Sequence, residues 1–233
     1  MIVYLHGFTG SPRSWDEVGL PGVAEPLLGH APSLVRAGTF GDEMARLETL
    51  IAPRAPVHIV GYSLGARMAL GLLAAAPRLF SRATLIGVHP GLREADGRAE
   101  RIADDERWAR MLETEGIEPF VHAWEAQPLF ATQSAEQRER RRRQRLAHDP
   151  VGLAAALRGL GLGHMPDLWP ALPALSLPVT YVAGEHDPKF RALAMRAAAL
   201  TPRASVSIVP GAGHDVVLEQ PRAVAAALLE EPT

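Results

Sequence analysis

The stretch Val57-His58-Ile59-Val60-Gly61-Tyr62-Ser63-Leu64-Gly65-Ala66-Arg67 decides the reading of this chain. Residues 57–60 form an apolar run that reads as a buried strand. Residues 64–76 are apolar nearly all round, as a helix packed against a sheet is. Between them Gly61 and Gly65 bracket Ser63 in the G-x-S-x-G pattern of a nucleophile elbow. The two glycines remove side chains where strand and helix crowd the turn. The turn lifts the serine hydroxyl above the end of the sheet, beside the positive N-terminus of the helix.

Similar short apolar runs occur at residues 2–5, 83–88, 179–183 and 205–209, with a weaker one at 24–28. They alternate with helical patterns, which predicts βαβ units and an α/β fold with a mostly parallel sheet of about six strands. Phe40, Met44, Leu47 and Ile51 recur as one face of a helix would. Further helices are expected over 191–200 and from Pro221 to about residue 230. From 91 to 178 the strand rhythm stops, and the stretch is helical in character, Arg-rich, and carries Trp108, Trp124 and Trp169. The expectation is a core of residues 1–90 and 179–233 with a helical cap inserted at 91–178. Gly159-Leu160-Gly161-Leu162-Gly163 reads as a flexible exit from that cap; it follows no strand and opens no helix, so it is not a dinucleotide loop.

The 233 residues are enough for one domain with an elaboration, and 47% apolar residues can fill a core without a staple. A net charge of −2 argues against a chain-wide field for nucleic acid or membrane. The absence of cysteine excludes disulfides and thiolate chemistry. No His-Glu-x-x-His spacing or carboxylate cluster suggests a metal, so no metal and no cofactor are expected. The N-terminal apolar run is short and lacks a basic leader, and no stretch is long enough to span a bilayer, which leaves a cytoplasmic protein as the expectation.

Serine is unreactive at neutral pH unless a base takes its proton and an acid orients that base. Gly184-Glu185-His186-Asp187 follows the fourth strong strand, and Gly211-Ala212-Gly213-His214-Asp215 follows the last. Both lie just past strand C-termini, where ligands meet open α/β sheets. Asp187 is the expected acid and His214 the expected base, with Glu185 and Asp215 as rival acids. Of nine histidines, His6, His186 and His214 are read as lying in such loops, His6 in a structural role. The backbone N–H groups of Phe8 and Leu64 are the natural oxyanion hole.

The set His6-Gly7-Phe8, Gly61 to Gly65, Asp187 and Gly213-His214 resembles the α/β-hydrolase fold over nearly the whole chain. That fold hosts many chemistries, and the basic residues narrow them. Arg67 lies one helical turn after Ser63, where the helix dipole disfavours a cation. It needs either an anionic ligand or a cap carboxylate. Of 24 basic residues only Lys189 is lysine, and it stands two residues past Asp187. From Glu136 to Arg145 six Arg face two Glu, a local charge of +4. A solvated helix face accounts for most of that run. Several cations around one serine suit a small substrate with more than one carboxylate.

Gly61 to Arg67, His89-Pro90-Gly91-Leu92, Trp124 to Phe130, Gly184 to Phe190, and Gly213-His214 with Glu219-Gln220-Pro221 are similar to the 2-succinyl-6-hydroxy-2,4-cyclohexadiene-1-carboxylate synthases (MenH family), lyases of menaquinone synthesis. Ala66, where that family usually has glycine, and Asp215, often asparagine there, depart from its pattern. The resemblance implies elimination of pyruvate from 2-succinyl-5-enolpyruvyl-6-hydroxy-3-cyclohexene-1-carboxylate, with Ser63 as a general base. It implies Tyr62 and Arg67 beside the substrate, Arg101, Trp124 and Arg145 reaching from the cap, and Lys189 on a carboxylate. A carboxylesterase or C–C bond hydrolase using Ser63, His214 and Asp187 for acyl transfer is the alternative. A binding protein with its basic cap on an acidic partner is a further one.

Overall fold

The structure, a computed structural model, describes residues 1–33, 35 and 37–230. Among these, six strands form one sheet: β1 (Ile2–Leu5), β2 (Val23–Glu25), β3 (Val57–Tyr62), β4 (Phe80–Ile86), β5 (Val179–Gly184) and β6 (Ala204–Val209). Their order is β2-β1-β3-β4-β5-β6, and every neighbouring pair is parallel. The strands read as unbroken apolar runs because helices cover both faces. Alternate side chains divide between the faces. Val3, Leu5, Ile59 and Leu85 enter one core cluster, while Tyr4, Val60, Tyr62 and Ile86 enter the other.

The helices are α1 (Phe40–Ile51), α2 (Leu64–Ala75), α3 (Ala95–Thr114), α4 (Ile117–Glu125), α5 (Ala135–Leu146), α6 (Pro150–Leu160), α7 (Pro188–Ala198), α8 (Val216–Glu219) and α9 (Pro221–Leu229). α1 starts where Thr39 and Asp42 form a reciprocal capping box. α2 lies on the sheet with nine of its twelve residues buried, as its all-round apolar sequence requires. Helices α3 to α6 come between β4 and β5 in the chain and carry a small core of their own around Phe120, Val121, Leu153 and Leu157. No helix among the described residues is long and apolar enough to cross a membrane.

The strands expected at 83–88 and 24–28 run over Phe80–Ile86 and Val23–Glu25, and two helical segments also differ from expectation. The seventh helix begins at Pro188 rather than Arg191, because Asp187 caps it and proline suits its first position. Lys189 therefore stands in a first helical turn. The glycine run is no loose exit: α6 continues through Gly159 and Leu160. A Cβ on Gly159 would lie 1.9 Å from the Gly38 carbonyl oxygen, and one on Gly161 would lie 2.4 Å from an Asp105 carboxylate oxygen. These glycines are contact surfaces.

The strand order reverses between β1 and β3, since β2 lies outside β1 on one side and β4 outside β3 on the other. A crevice opens beyond the C-terminal ends of β1 and β3 at such a switch point. Phe8 follows the first of these strands and Ser63 the second.

Candidate active site

Ser63 has φ 50° and ψ −106°, a left-handed conformation that a side-chain-bearing residue seldom adopts. Its N–H donates to the Ile86 carbonyl at 2.8 Å, and its own carbonyl accepts from the Arg67 N–H at 3.1 Å. The neighbouring glycines are forced by contact. A Cβ on Gly61 would meet the Gly65 oxygen at 2.4 Å, and one on Gly65 the Leu5 oxygen at 2.1 Å. Ala66 is fully buried, its methyl taken into the core.

His214 Nε2 lies 3.2 Å from Ser63 Oγ, and its Nδ1 lies 2.7 Å from Asp187 Oδ2. The neutral ring that satisfies both bonds donates from Nδ1 and accepts at Nε2. Tyr62 and Phe190 flank the imidazole at centroid distances of 5.5 and 4.4 Å. Gly87, at φ 59°, leaves room for it, since a Cβ there would come within 3.0 Å of the ring. The rival acids face elsewhere. Glu185 accepts from the Gly211 N–H at 2.8 Å, and Asp215 is taken by Arg141. Neither the Phe8 nor the Leu64 N–H has a hydrogen-bond acceptor among the described residues.

A cavity of about 320 Å³ rises over Ser63. Phe8, Trp108, Trp124 and Phe190 give it apolar walls, and Arg67, Arg101 and Lys189, against Asp104 and Asp105, leave its charged lining net positive. Arg67 meets no carboxylate among the described residues; it donates to the Leu160 carbonyl at 2.7 Å. Leu160 is the last residue of α6, so the negative end of a helix dipole partly offsets the cation. Burial, with Arg101 beside it, pushes the Arg67 guanidinium down to about 9, still charged at neutral pH. Arg101 is tied to Asp105 at 2.9 Å. Lys189 lies 5.7 Å from the Phe190 ring centroid. His89, on the same wall, is lowered to about 4 by burial and then by the fields of Lys189, Arg67 and Arg101.

Arg145 lies in a smaller recess of about 50 Å³ on the other side of Ser63, with Tyr62, Arg141 and Asp215. It pairs with Glu125 at 2.9 Å, donates to Thr9 Oγ1 at 3.3 Å and stacks over Phe130. The basic run on α5 is largely neutralised in place: Arg142 pairs with Glu125 and Arg140 with Glu17 and Glu136. His186 is exposed.

Two further histidines occupy strand-end loops beyond the three expected: His30 follows β2 and His89 follows β4. His6, His30 and His148 lace the Phe8 loop in place. Each accepts a backbone N–H, from Leu27, Thr9 and Ala31 respectively. Each donates with its other nitrogen, to the carbonyls of Gly7, Leu28 and Thr9. All three are buried, and burial lowers their proton affinity, that of His6 to about 3. Four of these six partners lie 21 to 139 residues away and leave no local trace in a sequence. Among the described residues no three His, Asp or Glu side chains cluster as a metal site would need.

A strained serine at a strand–helix turn, hydrogen-bonded to a histidine past the last strand, on a parallel sheet, is the arrangement of α/β hydrolases. The chain belongs to the α/β hydrolase family, whose sequence profile matches residues 2–227. A 2-succinyl-6-hydroxy-2,4-cyclohexadiene-1-carboxylate synthase of Salmonella agona is 37% identical over 239 residues, covering 98% of this chain and 92% of that one. A Bacillus subtilis protein provisionally named for the same synthase is 36% identical, covering 95% and 86%. The structure of MenH from S. aureus superposes with a TM-score of 0.90 at 30% identity, over 98% of this chain and 91% of that one.

Proposed function

We propose that this protein is a carbon–oxygen lyase that eliminates pyruvate from 2-succinyl-5-enolpyruvyl-6-hydroxy-3-cyclohexene-1-carboxylate, giving 2-succinyl-6-hydroxy-2,4-cyclohexadiene-1-carboxylate. The observation that carries this reading is the cavity over Ser63, whose lining sets Arg67, Arg101 and Lys189 against Asp104 and Asp105, a net positive wall that suits a polyanion. The names of its relatives support the same reading.

In this mechanism His214 Nε2 takes the Ser63 hydroxyl proton, and Asp187 holds the imidazolium through Nδ1–H. The serine alkoxide removes the ring proton alpha to the succinyl ketone. The electron pair moves onto the ketone oxygen, which the Phe8 and Leu64 N–H groups receive as an enolate. Return of that pair expels the enolpyruvyl oxygen across the ring. The leaving group takes up a proton as pyruvate, and His214 regains its starting state. Arg67 and Lys189 hold carboxylates, Tyr62 and Trp124 flank the ring, and Arg101 and Arg145 act from the cap. No cofactor enters any step.

The test is turnover of the enolpyruvyl cyclohexene substrate, read as pyruvate through lactate dehydrogenase, beside a simple aryl ester. Pyruvate release that disappears in Ser63→Ala and His214→Ala, with unchanged circular dichroism, is the expected result. Ester cleavage with an acyl-enzyme burst and no pyruvate would make the protein an esterase instead.

A further inference from the structure

Asp215, the residue after His214, is a second buried carboxylate beside the proposed base, 2% exposed. Arg141 of α5, 4% exposed, clamps it at two points, Nε to Oδ2 at 3.0 Å and Nη2 to Oδ1 at 2.9 Å. The remaining guanidinium nitrogen donates to Ser14 Oγ at 2.9 Å and to Gln144 Oε1 at 2.7 Å. Asp215 is held further by the Leu218 N–H at 3.3 Å, capping α8, and by Gln133 Nε2 at 3.5 Å. Ser14 lies in the turn that follows the Phe8 loop and accepts the Ser11 N–H at 3.1 Å. One guanidinium thus joins α5 to the loop carrying His214 and to the turn beyond Phe8.

A planar five-donor fork fits this junction, and a lysine does not reproduce it. The electrostatic consequence is specific. Without Arg141, Asp215 would be a buried, uncompensated negative charge next to His214. His214 already meets Asp187, the N-cap of α7, and the Tyr62 ring of β3, and it shares the cavity lining with Lys189 of α7 and His89 of the loop after β4. Glu219 of α8 holds the Gly213 N–H, and Arg145 of α5 is itself paired with Glu125. At Tyr62, whose ring flanks the imidazole, the fields of Asp215 and Glu219 oppose those of Arg141 and Arg145.

We infer that Arg141 is a positioning residue that cancels the charge of Asp215, so that His214 answers to Asp187 alone, and that fixes the His214 loop from α5. The inference rests on the reading of Ser63 and His214 as a reactive pair.

The experiment measures covalent labelling of Ser63 by a fluorophosphonate against pH. In that reaction the Oγ–P bond forms as fluoride leaves and the hydroxyl proton passes to His214, with no need of the natural substrate. The proteins are wild type, Arg141→Met, Asp215→Asn and the double variant. In Arg141→Met the acid limb of the rate profile moves up by about one pH unit, a tenfold change in proton affinity. In Asp215→Asn, which keeps the cap but leaves Arg141 charged, it moves down. In the double variant, which buries neither charge, it returns to the wild-type position. Should Arg141→Met not fold, the opposed behaviour of Asp215→Asn and the double variant carries the same test. Acid limbs identical in all folded proteins, or a double variant that keeps a single variant's shift, would overturn the inference. A wild-type protein that does not label would instead refute the Ser63–His214 pairing on which it rests.

Discussion

Asp187 divides its carboxylate between two neighbours: Oδ2 takes the Nδ1–H of His214 at 2.7 Å, while Oδ1 takes the Phe190 N–H at 3.2 Å and caps α7. The acid and the helix that presents it are thus fixed together. Asn keeps the cap but disturbs the bond to His214, so Asp187→Asn should lower kcat by about 10²–10⁴-fold with little loss of stability. Asp187→Ala should lose activity to a similar degree and, in addition, about 1 kcal/mol of stability from the lost cap. Steady-state pyruvate release and urea melts separate the two effects. Equal stability of the two variants would contradict the dual role.

Arg67 meets the end of α6 and, among the described residues, pairs with no carboxylate, so its charge remains available to a ligand. Arg67→Met should raise KM for the polyanionic substrate by about 10–100-fold, the equivalent of one charge-assisted hydrogen bond, with a smaller change in kcat. An unchanged KM would remove Arg67 from the carboxylate site.

His6 and His58 are lowered to about 3 and His89 to about 4, and His30 and His148 are lowered as well. Unfolded histidines take up protons near pH 6.5, so below that pH the unfolded chain binds protons that the folded chain refuses. Stability therefore falls as pH falls from about 6.5 towards 4, with a slope of at most about 1.4 kcal/mol per pH unit from each of His6, His58 and His89 and a further loss in the same direction from His30 and His148. Urea midpoints at pH 7, 6 and 5 should show a steepening loss. His148→Gln should flatten that slope while destabilising the protein at pH 7. A midpoint that stays constant over this range is the contrary result.

Gly159 and Gly97 both lie within helices, yet a Cβ would strike the Gly38 carbonyl at the first and meet nothing within 4 Å at the second. Gly97→Ala should stabilise the protein by about 0.5–1 kcal/mol, and Gly159→Ala should destabilise it by about 1–3 kcal/mol. Denaturation midpoints give both values, and a stabilised Gly159→Ala would refute the close contact.

The sheet and the elbow were legible because their signals are local. An apolar run, two glycines and a serine, then an apolar helix, all fall within about twenty residues of chain. The expected strand-end loops likewise carry Asp187 and His214, which the fold brings together. Legibility failed where meaning depends on a distant partner. The α5 run shows six arginines alike, and only the positions of Glu125, Asp215 and Glu17 decide which are buried and what each one touches. The glycine run failed for the same reason, since glycine serves both a flexible linker and a tight contact, and Gly38 and Asp105 identify it as the second.

β4 and β5 are adjacent in the sheet, yet all of α3 to α6 separates them in the chain. During synthesis the four strands from β2 to β4 emerge long before the next strand of the sheet leaves the ribosome. Until then β4 presents an unpaired edge, the kind of surface that recruits other nascent chains. Collapse of the intervening helices shortens the loop that β5 must close, and with it the time that this edge stays open.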